Sequence, residues 1–182
     1  MRHGETDWNR ERRFQGHADE PLNELGREQA RALADELAGE RVDSIYSSDL
    51  ARARETAEIV GARLGVPVLT DAALREIDVG EWQGLTWPEI EERFPEGRRN
   101  WHERGWGWEQ GETYDDLDAR VVARLREIAA AHPGERICVV GHGGTIRVVR
   151  ARADRSTVAE HRRALPPVAN CEVFRLRADQ LD

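Results

Sequence analysis

The stretch "RICVVGHGGTIRVV", residues 136–149, constrains the fold more than any other part of the chain. Ile137, Cys138, Val139 and Val140 are consecutive and apolar, so a strand built from them has no polar face to turn to water. Such a strand belongs inside a parallel sheet with helices on both sides. Gly141, Gly143 and Gly144 then allow a sharp turn, and the apolar residues resume at helical spacing from Ile146. A helix starting there points unpaired amides and the positive end of its dipole at the carboxyl end of the strand, where open α/β sheets bind ligands. His142 stands at that junction. Taken alone, Gly-His-Gly-Gly fits a packed or capping histidine as well as a ligand site.

The remaining pattern alternates short apolar runs with amphipathic helices. Asn23 caps a helix to about Ala38, with Ala30, Leu33, Ala34 and Leu37 on one face. "DSIYSS" reads as a strand. "DLARARETAEIVGARLG" reads as a helix with Leu50, Ala53, Ala57, Val60 and Leu64 in steps of three and four, stopped by Gly65 and Pro67. Thr113 opens a helix that His132-Pro133-Gly134 ends. "CEVFRLR" is expected to be a last strand. The expectation is a three-layer α/β/α fold around a mostly parallel central sheet. Residues 1–182 form one domain in this reading, and an irregular tryptophan-rich lid at about 87–111 carries Trp87, Trp101, Trp106 and Trp108.

Charge narrows the partners. The 182 residues carry 35 acidic and 27 basic side chains, a formal net charge of −8, and every basic side chain is arginine. That balance argues against sequence-independent binding of nucleic acid, which needs a basic face. A local basic pocket would have to be built from arginine. No apolar run is long enough to cross a bilayer and no signal peptide is visible, so no membrane partner is expected and the cytoplasm is the default location. Cys138 and Cys171 are too few for a disulfide framework and lack the spacing of metal ligands.

"RHGET" at the start of the chain repeats the pairing of histidine with glycine, now directly after Arg2. A turn at Gly4 brings Arg2 and His3 to one anion. "SSDLARARETA" is another strand-to-helix junction and places Arg52 and Arg54 in the first turn of its helix, where guanidinium forks match phosphate oxygens. Arg54 reads as a solvated helix-face charge. His17 reads as a loop histidine, and His102, His132 and His161 fit no motif and read as surface residues.

These pieces resemble the histidine phosphatase superfamily, also called the phosphoglycerate mutase-like family. The resemblance rests on "RHGETDWN", "FQGHADEPLNELGREQA", "SSDLARARETA", "LREIDVGEWQGLT", "GETYDDLDARV" and "VVGHGGTIR", in the family's order and spacing over nearly the whole chain. It implies that His3 is the nucleophile and becomes a phosphohistidine, for which it must be neutral. Arg2, Arg52 and His142 would hold the phosphoryl oxygens, with the amide of Gly143 assisting. Glu76 would protonate the leaving oxygen and then take a proton from water, with Asp78 and Glu81 as neighbouring rivals. Asn9, Gln15 and Gly16 match positions lining the phosphate pocket. No metal and no cofactor are implied.

The resemblance also raises an expectation about the N-terminus. The family motif normally follows a strand of several apolar residues, and about five to eight further residues before Met1 are expected on typical strand length. The implied activity is hydrolysis of small phosphomonoesters. A cofactor-dependent phosphoglycerate mutase is the alternative within the family; it carries a longer basic insertion where this chain is short and aromatic, although Arg93, Arg98, Arg99 and Arg104 keep anion recognition open. Two other classes are alternatives: a metal-dependent hydrolase on His3, His17, His142 and Glu76, whose spacing fits no metal motif, and a non-catalytic phospho-ligand-binding module. A homodimer is compatible with the sequence.

Overall fold

The computed structural model describes residues 1–104, 107–164 and 166–181, without the side chains of His102, Arg104, Arg162 and Arg163. Trp106 and the side chains of His102 and Arg104 thus lie outside the described residues. The chain runs α1 (Asp7–Arg10), α2 (Glu24–Leu37), β1 (Ser44–Ser47), α3 (Ala51–Leu64), β2 (Val68–Thr70), α4 (Trp87–Arg93), α5 (Pro95–Arg104), α6 (Tyr114–Ala131), β3 (Ile137–Val140), α7 (Gly143–Ala153) and α8 (Val158–Ala164). Three short 3-10 turns complete it. The strands pair in parallel in the order β2-β1-β3, with Ile45 opposite both Val68 and Cys138.

Alternation along the strands assigns the layers. Ile45, Cys138 and Val140 pack with Leu33, Leu37, Ala57 and Val60 of α2 and α3. Tyr46 and Leu74 pack on the other face with Ile128 of α6, joined by Ile137 and Val139. Leu117, Val121, Val148 and Val149 extend that second layer through α6 and α7. Helix starts follow their caps. Asn23 accepts from the Gly26 amide at 2.8 Å. The Thr113 hydroxyl accepts from the Asp116 amide at 3.1 Å while Asp116 accepts back from the Thr113 amide at 2.9 Å. Gly65 closes α3 in the left-handed conformation at φ 71°. No described helix is long and apolar enough to cross a membrane.

Three sequence expectations are corrected. The stretch 87–111 is not irregular: α4 and α5 occupy most of it. Glu89 accepts from the amide and hydroxyl of Thr86 at 2.7 Å each and Pro88 fits the first turn, which starts α4 despite a charged sequence with little apolar periodicity. Trp87, Trp101 and Trp108 join Phe14 and the fully buried Trp82 in an aromatic cluster, mostly edge-to-face, with Phe14 at 4.9 Å from Trp87 and Trp82 at 5.5 Å from Trp108. His161 is not a surface residue: it is 6% exposed, with Nε2 3.3 Å from an Asp154 carboxylate oxygen. His132 is half-buried between Tyr46 and Glu135.

The third correction concerns "CEVFRLR", which forms no strand. A strand needs a ladder partner along its length, and the segment from Cys171 has one only at Cys171 and Glu172. The chain's first three residues lie between β3 and this segment. Gly141 N–H donates to the Met1 carbonyl at 2.9 Å and His3 N–H to the Gly141 carbonyl at 3.0 Å, while Arg2 N–H donates to the Glu172 carbonyl on the other side at 3.1 Å. Arg2 and Gly141 form an isolated parallel bridge. Beyond Met1 a cavity of about 470 Å³ separates residues 136–139 from residues 173–176, with Leu37 and Val42 on one wall and Val121, Leu125, Ile146 and Val149 on the other. The Met1 ammonium is partly buried at its end, donates to the Val139 carbonyl at 2.7 Å, and is pushed below the usual α-amino range by burial.

The slot is bordered by strand β3 and by residues 173–176 and is lined largely by apolar side chains. Fusing five alternating β-branched residues ahead of Met1 replaces the ammonium with an amide that keeps the bond to Val139. Apolar burial of about 2 kcal/mol or more is expected, raising Tm by about 5 °C. An unchanged Tm in differential scanning calorimetry would show that the slot does not accept a strand.

Candidate active site

The carboxyl ends of β1 and β3, the Met1–His3 stub and the turn at residues 75–79 meet around one hollow of about 300 Å³. His3 is held there by its backbone on both sides: its amide donates to Gly141, and its carbonyl accepts from Asn170 Nδ2 at 3.0 Å. Gly4 then passes so close to α2 that a Cβ on it would stand 2.4 Å from the Gly26 carbonyl oxygen. Gly4 N–H donates to Thr56 Oγ1 at 3.0 Å, which ties the loop to α3. The approach of two glycines is what allows the stub, α2 and α3 to share one corner.

The His3 ring is 2% exposed, and its Nδ1 lies 2.6 Å from the Gly4 carbonyl oxygen. A carbonyl only accepts, so Nδ1 carries the proton and Nε2 keeps its lone pair. Burial, with the cations Arg2 and Arg52 adding to it, holds His3 well below the usual imidazole range. His142, the N-cap of α7, is fully buried against it, the ring centroids 5.3 Å apart. Burial, then Arg52 and His3, depresses His142 in the same way. Among the described residues neither His142 ring nitrogen has a hydrogen-bond partner.

Two guanidiniums complete the cluster. Arg52, the second residue of α3, is fully buried and donates to the Ala18 and Gly16 carbonyls at 2.7 and 2.8 Å. Its Nε has no partner. Burial lowers its pKa to about 10, which leaves it charged at neutral pH. Arg2 donates to the Val168 carbonyl at 2.6 Å, and its buried Nε is also unpartnered. Glu76 reaches in from the opposite side. Its carboxylate accepts from Gly144 N–H at 3.0 Å and Ile77 N–H at 2.9 Å. A Cβ on Gly144 would stand 2.2 Å from Glu76 Oε1, so glycine is required for that approach.

The sequence-predicted residues fall as follows. Arg2, His3, Asn9, Gln15, Gly16, Arg52 and Glu76 all line the hollow. His142 stands behind His3 rather than in the lining. Gly143 is also outside the lining, at the first position of α7, and a Cβ there would be 3.8 Å from Glu76 Oε2 and 3.9 Å from Arg2 Nε. Asn9 accepts from the Thr6 amide at 3.2 Å and Gln15 from the Thr6 hydroxyl at 3.1 Å. Asp78 and Glu81, the rival acids, are turned to backbone amides of Gly80, Glu109 and Gln110. Arg93, Arg98 and Arg99 do not line the hollow. Arg93 and Arg98 stack on Phe94 and Trp87, and Arg99 pairs with Glu96.

Sequence reasoning missed a brace behind Glu76. His17 Nε2 lies 2.9 Å from the Glu76 carbonyl oxygen and so donates to it. Arg120 donates to the carbonyls of Ala73, Arg75 and Glu76 and forms a two-point pair with Glu112 at 2.8 and 2.6 Å. Glu112 also accepts from the Asp78 amide. Both residues lie inside "GETYDDLDARV", so the signal was a motif whose members had no role assigned. Among the described residues no group of three or more His, Cys, Asp or Glu is placed to hold a metal ion.

Comparison with known proteins agrees with this geometry. Residues 1–181 match the histidine phosphatase superfamily (branch 1). The chain is 44% identical over 158 residues to phosphoglycerate mutase-like protein 4 of Arabidopsis thaliana, covering 84% of this chain and 69% of the relative. It is 39% identical over 164 residues to a metal-independent phosphoserine phosphatase of the same plant, covering 87% and 69%. The solved mycobacterial glucosyl-3-phosphoglycerate phosphatase in complex with VO3 superposes with a TM-score of 0.84 at 38% identity, over 93% of this chain and 85% of that one. The chain belongs to the histidine phosphatase superfamily, branch 1.

Proposed function

We propose that this protein hydrolyses small phosphomonoesters in two phosphoryl transfers through His3. The observation that carries this reading is a set of four buried nitrogens with no partner, on Arg2, Arg52 and His142, gathered around a histidine with a free Nε2. Buried donors left unmade are costly, and a phosphoryl group supplies acceptors to the two guanidinium Nε–H groups and to the one N–H that a neutral His142 carries. In the first transfer the Nε2 lone pair forms a bond to phosphorus as the ester P–O bond breaks. Glu76, entering protonated, gives its proton to the departing alkoxide. In the second, water attacks phosphorus and loses a proton to Glu76. The P–N bond breaks, its electrons return to Nε2, and inorganic phosphate leaves. Arg2 and Arg52 balance the charge on the phosphoryl oxygens throughout. A mutase would pass the phosphoryl group from His3 to a second hydroxyl instead of water. The single domain over 1–182, the roles of Asn9, Gln15, Gly16 and Gly143 in lining the phosphate site, and a cytoplasmic location belong to the same reading.

Rapid quench with phosphorus-labelled substrate is expected to trap an acid-labile phosphate in the native chain and none in His3→Ala, whose kcat should fall by about 10³ or more. Unchanged activity in His3→Ala would end the mechanism. Glu76→Gln separates the proton donor from the rest. It is expected to cost about 10²–10⁴ in kcat on an alkyl phosphate, and far less on p-nitrophenyl phosphate, whose leaving group needs no proton. Equal losses on both substrates would remove Glu76 from that role.

Burial of two neutral imidazoles also sets an acid limit on stability. Above the ordinary pKa of 6.5 the unfolded histidines are neutral as well. Below it the unfolded chain binds protons that the folded chain does not, so stability falls as pH falls through 6.5. The slope is up to about 1.4 kcal/mol per pH unit for each histidine. The difference in urea midpoint between pH 7 and pH 5 is expected to shrink in a His3→Gln/His142→Gln double variant. An identical difference in both proteins would contradict the burial argument.

A further inference from the structure

Five charged side chains line the hollow: Arg2, Arg12, Arg13, Arg52 and Glu76. Arg2 and Arg52 belong to the cluster around His3. Arg13 is neutralised, with its guanidinium 2.7 Å from Glu11 and 3.0 Å from Glu89, and it also donates to the Gly84 carbonyl. Arg12 differs from these. It is exposed, and among the described residues it forms no ion pair and no side-chain hydrogen bond.

The backbone at Arg12 makes the choice of residue informative. Helix α1 ends in a double reversal, with Arg12 N–H donating to the Asn9 carbonyl at 3.1 Å and Arg13 N–H to the Trp8 carbonyl at 2.9 Å. This is the Schellman arrangement, and its left-handed position is the one that glycine fills at least cost. Here that position has φ 59° and is occupied by arginine. The reversal places Arg12 at the rim of a hollow whose walls include Trp8, Phe14, Trp87, Trp101, Trp108 and Tyr114. An unpaired cation in an aromatic wall is poised for an anion on the ligand.

We infer that Arg12 is a specificity-determining residue that binds a carboxylate carried by the substrate, next to the phosphoryl group held at His3. The inference rests on the phosphomonoesterase reading above. One guanidinium fork matches one carboxylate in two parallel hydrogen bonds. A second phosphate would need more, as the first draws on two guanidiniums and two imidazoles. The substrate class is therefore a phosphorylated hydroxy acid or amino acid small enough for a hollow of about 300 Å³.

A matched pair of esters tests this: 3-phosphoglycerate, and glycerol 3-phosphate, which has a hydroxymethyl group in place of the carboxylate. The variant is Arg12→Gly, because φ 59° suits glycine and folding is not put at risk. Its kcat/KM is expected to fall at least tenfold more for 3-phosphoglycerate than for glycerol 3-phosphate, with the loss in KM. Arg12→Lys, which keeps the cation but not the fork, should lie between the two. Equal losses on both esters in a chain that still hydrolyses them would overturn the role of Arg12 and leave the phosphatase reading standing. A native chain inactive on both esters and on p-nitrophenyl phosphate would overturn the phosphatase reading itself.

Discussion

The structure depends on keeping two guanidiniums and two imidazoles together in a space that water barely reaches. Arg52 and His142 are fully buried and His3 nearly so. Each unpartnered buried donor costs about 1–3 kcal/mol, and among the described residues the Nε–H groups of Arg2 and Arg52 and the one N–H of a neutral His142 are such donors. Like charges add to that cost. Two features contain it. The imidazoles respond by staying neutral, so only the arginines carry charge. The arginines in turn spend part of their hydrogen-bonding capacity on the carbonyls of Gly16, Ala18 and Val168, which fixes them without neutralising them. What remains is a preorganised set of donors waiting for an acceptor, which is the state that phosphoryl transfer requires of a protein.

Such a cluster has to be held by the backbone, because its members repel. The parallel pairing of β1 with β3 brings two strand ends side by side, and each end feeds a helix whose first residues enter the site. Arg52 comes from α3, while His142 and Gly144 come from the start of α7. The bridge between Arg2 and Gly141 registers His3 against α7. The fourth side is irregular, and it needs a different support. Glu76 lies in a turn with no ladder, and Arg120 clamps three successive parts of that turn from α6 while His17 clamps it from the opposite loop. The brace lets a carboxylate stand near two cations without collapsing onto them.

The sequence was most legible where one signal sufficed. The apolar run at residues 137–140 forced a buried parallel strand, and helices with a cap and a clean period were placed to within a residue or so. The residues that line the hollow were legible because glycine, histidine and arginine recur at strand ends in a known order. Three things were not. The helices α4 and α5 carry charges and tryptophans where a period would show, and they are held by an aromatic cluster whose partners, Phe14 and Trp82, are distant in sequence. The segment from Cys171 has the composition of a strand but lacks a neighbour along most of its length, and composition says nothing about neighbours. His161 reads as polar, yet tertiary packing buries it beside Asp154. Each miss is tertiary context, present or absent, overriding a local preference.

The absence of lysine bears on the same chemistry. Arg52 has to hold two carbonyls about its fork and still aim a third donor at a ligand. A planar guanidinium does this because its N–H groups diverge from three separate atoms. An ammonium places all its donors on one atom and would have to give up the carbonyls to reach the anion. Burial also tests the two cations differently. Arg52 keeps its charge at neutral pH with a pKa near 10, whereas a buried lysine starts about two units lower and loses charge readily. A protein that is acidic overall, −8 in formal charge, thus keeps a permanently cationic hollow at the end of its sheet.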